Sequence, residues 1–376
     1  MRRIDLANIL RILVIVVGLA TCSTGAQKVF FAGFAYAGDA GFIANNFPLT
    51  SGWDPEGAAI NTALRSRLPS FHSASLELAD KYQLADLSAG DTLCLAVVLD
   101  QEVAVTEAFS TPAGTKYKNT VELGVEAMFF DFRKMGVVGS YPLIVQYRDV
   151  TPTAPSTRET TEVIKSLFAG TALGTNLCDE LFGRLHGLAY VGRSSQTVQV
   201  SEVEIAPEAF GFAPPAFQAN PHNFQIYLAQ TFSRALSQRL GVSVLPYTKG
   251  QVGYKMALRF SDSNILQLEV PRPTYAIKLD LRKFKKVLYS ESEGVGQAWI
   301  YGSFVGITMT EPQSGQTYLN EALKKGLTVK QIEGWSPTYE WYPYQESLAL
   351  LFDEFVQALP SEKKYATAIA HLKNCQ

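Results

Sequence analysis

The sequence predicts an α+β protein built as two tandem copies of one module, each a mostly antiparallel sheet with helices packed on one face. Three observations predict it. First, blocks recur in order. Leu177-Cys178-Asp179-Glu180-Leu181 returns as Leu351-Phe352-Asp353-Glu354-Phe355, with Leu185 matched by Leu359. Ala63-Leu64-Arg65-Ser66-Arg67-Leu68 returns as Ala235-Leu236-Ser237-Gln238-Arg239-Leu240, and Asp131-Phe132-Arg133-Lys134 as Asp280-Leu281-Arg282-Lys283. Recurrence in the same order marks an internal repeat. Second, strand-like and helix-like stretches follow the same succession in each half. Third, 376 residues with 47% hydrophobic and 18% charged content suit two cores of ordinary size. The expected boundaries are 1–26 for a signal peptide, 27–187 and 195–360 for the modules, and 361–376 for a C-terminal tail.

In the first copy, Val29 to Tyr36 is aromatic-rich and too short for a helix, so it reads as a buried strand. The stretch Phe34 to Trp53 mixes Gly, Asn and aromatics and reads as a long loop, the kind that tends to carry function. Its Gly38 and Gly41 match no dinucleotide pattern. Asp54-Pro55 offers an N-cap and a first-turn proline to a helix carrying Ile60, Leu64 and Leu68, which Pro69 ends. Strands follow at Leu93–Leu99, Val121–Ala127 and Tyr141–Tyr147, the second in clean alternation. A helical stretch runs from about Glu159 to Leu185.

The second copy repeats these events. Val198 to Ile205 is a strand, Phe224 to Leu236 a helical stripe ended by Gly241, and Leu258 to Ile307 a series of strands. A helix from about Tyr344 to Leu359 closes it at Pro360. Helices on one face of a sheet bury such a pattern. This element order resembles the α/β modules of bacterial envelope assembly proteins: the curli secretion factor, the polysaccharide-export factor PelC and the TolB N-terminal domain. The resemblance implies assembly or interaction work at the outer membrane rather than catalysis.

The N-terminus reads as a targeting segment. Arg2, Arg3 and Arg11 precede the apolar run Ile12 to Ala20, no charge recurs before Lys28, and Thr24-Gly25-Ala26 fits a cleavage site. Leu19-Ala20-Thr21-Cys22 resembles a lipobox, with Thr21 departing from the usual small residue, so ordinary cleavage ranks ahead of lipidation at Cys22. Export permits a Cys178–Cys375 disulfide, while Cys94 reads as a buried thiol. The net charge of −2 gives no long-range attraction to nucleic acid or anionic lipid. Membrane contact is expected only through a lipid anchor.

Motifs for catalysis are missing. His72, His186, His222 and His371 have no nucleophile at motif spacing, and no G-x-S-x-G, C-x-x-C or H-E-x-x-H occurs. No metal or cofactor is expected. The Asp-Glu pairs 179–180 and 353–354 point about 100° apart on a helix and read as solvated charge beside the buried stripe. The segment 335–344 holds Trp335, Tyr339, Trp341, Tyr342 and Tyr344, aromatics with polar handles that serve either as a partner-binding or glycan-binding surface or as packing. The leading expectation is a non-enzymatic, periplasmic or outer-membrane-associated protein that binds or scaffolds other envelope components. The alternative is an exported ligand or glycan binder using 335–344; the third is an exported hydrolase with an unfamiliar site. Intact-mass measurement of the native protein should give a chain starting at Gln27, or at a lipidated Cys22. A soluble cytoplasmic protein retaining Met1 would rule out export.

Overall fold

The computed structural model describes residues 26–80, 92–170, 173–188, 196–248, 255–294, 296–333, 336–337 and 340–375. The expected targeting segment with Cys22 lies outside them, as do Trp335 and Tyr339. In the first half, strand β1 (Gln27–Ala37) leads into helices α1 (Ala40–Asn46), α2 (Pro48–Trp53) and α3 (Ala58–Arg67), then β2 (Leu76–Asp80). A long meander follows, β3 (Leu93–Thr111), β4 (Gly114–Asp131) and β5 (Gly136–Thr151), and helices α4 (Thr157–Ala169) and α5 (Leu177–His186) close the half. The second half runs β6 (Val198–Ile205), α6 (Pro207–Phe210), α7 (Pro215–Ala219), α8 (Pro221–Leu240), then β7 (Val244–Leu245), β8 (Lys255–Phe260) and β9 (Ile265–Glu269). Its meander is β10 (Tyr275–Ser292), β11 (Gly296–Glu311) and β12 (Gln316–Ile332), followed by the short β13 (Ser336–Pro337) and helices α9 (Trp341–Ala358) and α10 (Ala366–Lys373).

Strand pairing follows one pattern in both halves. β1 lies parallel to β3 and β6 parallel to β10, and each partner heads an antiparallel three-strand meander. Two of the recurring sequence blocks also meet each other in both halves. Arg67 on α3 pairs with Asp179 on α5 at 3.2 Å, and Arg239 on α8 grips Asp353 on α9 through two contacts of 2.5 and 2.6 Å. The third match does not correspond: Asp131 to Lys134 form the β4–β5 turn, whereas Asp280 to Lys283 lie inside β10. Asp131 is there to accept the backbone N–H groups of Arg133 and Lys134, a local turn requirement.

Several local expectations change. The long loop expected between Phe34 and Trp53 is mostly α1 and α2, because Asp39 caps Phe42 and Pro48 opens the next helix. The α3 helix starts at Ala58 behind Gly57, and Asp54 bonds forward to the Ile60 N–H at 3.0 Å instead of capping at Pro55. The stretch after Pro360 is not a loose tail. Tyr365, Ala368, Ile369 and Leu372 are buried in the second core.

The helices of the first half cover one face of its sheet, packing Leu64, Ile164, Leu167, Leu181 and Leu185 against Phe31, Val97 and Leu123. The other face is covered as well, by chain from the second half. The β8–β9 hairpin pairs with β1, and β9 reaches β5 through the Gly136–Glu269 bridge, with Glu269 N–H donating to Met135 O at 2.7 Å. The pairings β1–β3–β4–β5–β9–β8–β1 therefore close a six-strand ring. Its filling is apolar: Phe30, Cys94, Met128, Phe130, Leu258 and Phe260 are all buried. The end of β3 in turn enters the second core with Val103 and Val105. Each half thus supplies strands that complete the other.

Trp341, at the start of α9, is 1% exposed and meets Phe217, Phe224, Tyr227 and Phe284 at ring distances of 5.5–6.1 Å, mostly edge to face. Trp341→Ala should cost about 3–5 kcal/mol of folding stability, as large-to-small core substitutions do. Chemical denaturation measures it, and a loss under about 1 kcal/mol would show that the indole is not held as described.

Candidate functional site

β4 alternates, sending Val121, Leu123, Val125 and Ala127 into the first helical core and Glu122 and Glu126 to the opposite face, toward α8 and α9. On β3 the register slips by one residue between Leu99 and Gln101, so Asp100 is the extra residue of a β-bulge. Asp100 and Gln101 consequently both reach the Glu122–Glu126 face, Gln101 toward Glu122 and Asp100 toward Glu126. Gly124 makes room for them. A Cβ there would stand 2.8 Å from the Gln101 Cβ and 3.3 Å from Asp100 Oδ1.

Asp100 and Glu126 are 8% and 1% exposed. The Gln230 side chain, from α8, donates through Nε2 to Asp100 Oδ2 and to Glu126 Oε1, the latter at 2.6 Å. The remaining oxygens, Asp100 Oδ1 and Glu126 Oε2, have no hydrogen-bond partner outside the pair. Burial, and then the neighbouring Glu126 charge, hold the Asp100 carboxyl well above the usual carboxylate range. Burial raises Glu126 too, tempered by hydrogen bonds from Gln230 and Ser140. Two carboxyls this close and this dry share a proton rather than both ionise.

The pair lines a cavity of about 440 Å³ at the end of β1, between the halves. Ala37, Asp39 and Phe42 line it from the first half, and His222, Ile226 and Gln230 of α8 from the second. Tyr247 and the β8 residues Lys255, Met256 and Ala257 complete the wall. The arrangement offers a dry anionic floor, a His and a Lys on the wall, and apolar and aromatic sides. That is the composition of a small-molecule site: mostly apolar, with a few convergent polar groups of perturbed acidity.

The residues singled out in the sequence lie elsewhere. Trp341 and Tyr344 are core residues, each 1% exposed, so an exposed aromatic platform through them is corrected. Their size and rings serve packing around α9. Tyr342 is half-buried. Arg148 donates to its hydroxyl at 3.0 Å, and Lys118 Nζ lies 2.9 Å from its ring centroid. Burial pushes the Lys118 amine down to about 8. Cys178 and Cys375 sit in different cores, buried and free, so they do not pair. Burial raises their thiols to about 11 and about 12, which keeps both protonated and inert. Of the four His, only His222 lines the cavity; His186 bonds to the His72 carbonyl and His371 to the Tyr275 hydroxyl. Glu180 and Glu354 are exposed, and Asp179 and Asp353 are ion-paired between helices.

No protein-family model and no curated protein matches the chain. Among solved structures, it is similar to a neuraminyllactose-binding hemagglutinin homolog from Helicobacter pylori. That likeness has 11% identity and a TM-score of 0.26, over 47% of this chain and 90% of the other. A likeness at this level assigns no role to any residue here.

The raised pKa values of Asp100 and Glu126 set a stability dependence. A carboxyl whose folded pKa exceeds its unfolded value binds protons more tightly in the folded chain. Its contribution is complete below the ordinary carboxylate range and is lost as pH rises through the folded pKa. Asp100→Asn should therefore stabilise the protein by about 1–3 kcal/mol at about pH 8 and have a much smaller effect at about pH 4. Denaturant unfolding at both pH values checks this. A destabilisation at the higher pH would show that the carboxylate is satisfied after all.

Proposed function

We propose that this chain is an exported cell-envelope protein of two like modules that binds rather than turns over its ligand, and that a small polar solute occupies the Asp100–Glu126 cavity. The observation that carries the proposal is the buried carboxyl pair lining that cavity, with one oxygen of each acid lacking a donor from outside the pair. An unsatisfied buried acid lowers stability, and a neutral amide would fit the same space, so its presence calls for a use other than folding. Binding is favoured over catalysis because Gln230 clamps both carboxyls onto one side chain. A glycoside-cleaving pair would stand on opposite sides of the bond to be broken. The location in the envelope rests on the N-terminal sequence. The assembly role implied by the element order is part of the same proposal.

A second observation favours partner docking as a further use. The far end of the β10–β12 sheet exposes Val287, Leu288, Tyr289 and Ile332, with Tyr289 69% accessible. Apolar side chains gathered at one projecting end suit contact with another envelope protein.

A thermal-shift screen of small polar solutes tests the cavity. A saturable rise in melting temperature should appear with the unmodified chain and vanish in Ala257→Trp, which fills the space from its β8 wall. A rise that survives in Ala257→Trp, or no rise with any solute, would count against the cavity as the ligand site.

A further inference from the structure

The chemistry of the cavity floor restricts what it can hold. Both unpartnered oxygens are carboxyl acceptors, and the Gln230 amide, which reaches both acids, is already used on their other oxygens, while the Ser140 hydroxyl serves Glu126 alone. A ligand must therefore bring hydrogen-bond donors. A neutral hydroxyl brings one donor and leaves the charge of an ionised pair uncompensated. A primary ammonium brings three donors and a full positive charge, so it satisfies both oxygens and neutralises the pair at once. Resting on the proposal that this cavity binds a solute, we infer that the ligand carries a primary ammonium, which seats on Asp100 and Glu126 and displaces the proton the two carboxyls share.

The remaining charged and titratable groups around the floor are consistent with this and shape the rest of the ligand. Asp39 faces the cavity from the cap of α1, His222 from the first turn of α8, Tyr247 from the segment after β7, and Lys255 from the start of β8. Lys255 is exposed and Asp39 is exposed, so both act through solvent, where their charges are screened. The Tyr247 phenol is held neutral by burial. The buried carboxyls are thus the electrostatic feature a ligand meets in the dry part of the site, and Lys255 on the wall suits an anionic or hydroxylated distal group. Binding is written R–NH3⁺ plus the singly protonated pair giving the complex plus one proton released to solvent. No bond other than the carboxyl O–H changes.

Linkage fixes the readout. While the pair still holds its proton in the free protein and the free amine is still an ammonium, losing one proton per ligand makes affinity rise about tenfold per pH unit. Isothermal titration of the full chain should use glucosamine, lysine and putrescine as probes, with N-acetylglucosamine as the counterpart of glucosamine without its ammonium. The amine probe that fits should bind with an apparent enthalpy that changes with the ionisation enthalpy of the buffer, reporting close to one proton released. It should tighten with pH, and N-acetylglucosamine should bind at least tenfold more weakly than glucosamine where glucosamine is the probe that fits. Which amine binds best separates an amino sugar from an amino acid or polyamine. The double variant Asp100→Asn, Glu126→Gln, which should be the more stable protein, should lose the buffer dependence and the amine affinity together. Amine binding unchanged in that variant, or binding with no proton released, would overturn the inference. A neutral solute that binds in the cavity while every amine fails would overturn it too, yet leave the cavity as a ligand site. Silence from all solutes would remove both.

Discussion

A buried carboxylate must find donors, and on the β3–β4 hairpin that requirement ties the two halves together. Ionised oxygens out of water cost several kcal/mol unless hydrogen-bonded. Glu102 meets the need by accepting the Leu49 and Thr50 N–H groups at 2.9 and 2.8 Å, which seats α2 on its own sheet. Glu107 accepts the N–H groups of Trp341 and Tyr342 at 2.6 and 3.1 Å, which fixes the start of α9 from the other half. Glu122 takes amide hydrogens from Gln101, Gln146 and Gln345, the last also on α9. Each bond sets where an element begins or how it lies, and the apolar cores then fill the space between. The reach of β3 into the second core and of β8–β9 around the first follows the same mutual arrangement.

How much of this could be seen in the sequence depends on the range over which each feature is encoded. The α+β class and the long strands are local: period-two alternation in Val121 to Ala127 gave β4, and the stripe Leu177, Leu181, Leu185 gave α5. The repeat blocks carrying Arg67 and Asp179, and Arg239 and Asp353, were visible as words in the text; their meeting in space was not. Short helices hid between Phe34 and Trp53 because Gly and Asn recur among the apolar residues there, and six- or seven-residue helices show too few turns for a period. Trp341 was ambiguous because a polar-tipped aromatic serves a core and a surface equally well. The cavity was the least legible feature. Its floor depends on a one-residue slip at Asp100 and on a glutamine 130 residues away. The one local trace is Leu99-Asp100-Gln101-Glu102, where polar residues interrupt an apolar strand for three positions.

The contrast between Glu122 and Glu126 isolates what is unusual about the cavity. They are on one face of one strand, both essentially inaccessible, and both made weaker acids first by burial. Glu122 nevertheless has three amide donors and nearby Arg234 and Arg148 charges that favour its ionised form. Glu126 has, in the same position relative to the sheet, a second acid as its neighbour, one amide divided between the two and the Ser140 hydroxyl. The fold can therefore satisfy a buried glutamate at this depth, and does so four residues away. At Glu126 the bulge brings in Asp100, which adds repulsion and leaves one buried oxygen of each carboxyl without a donor from outside the pair, beside the cavity the two residues line. Stability alone would favour the opposite choice, because moving Asp100 off that face would relieve the charge repulsion. Charge repulsion and unmet hydrogen bonding concentrated beside a cavity, four residues from a fully satisfied glutamate, are the pattern a ligand site leaves in a fold.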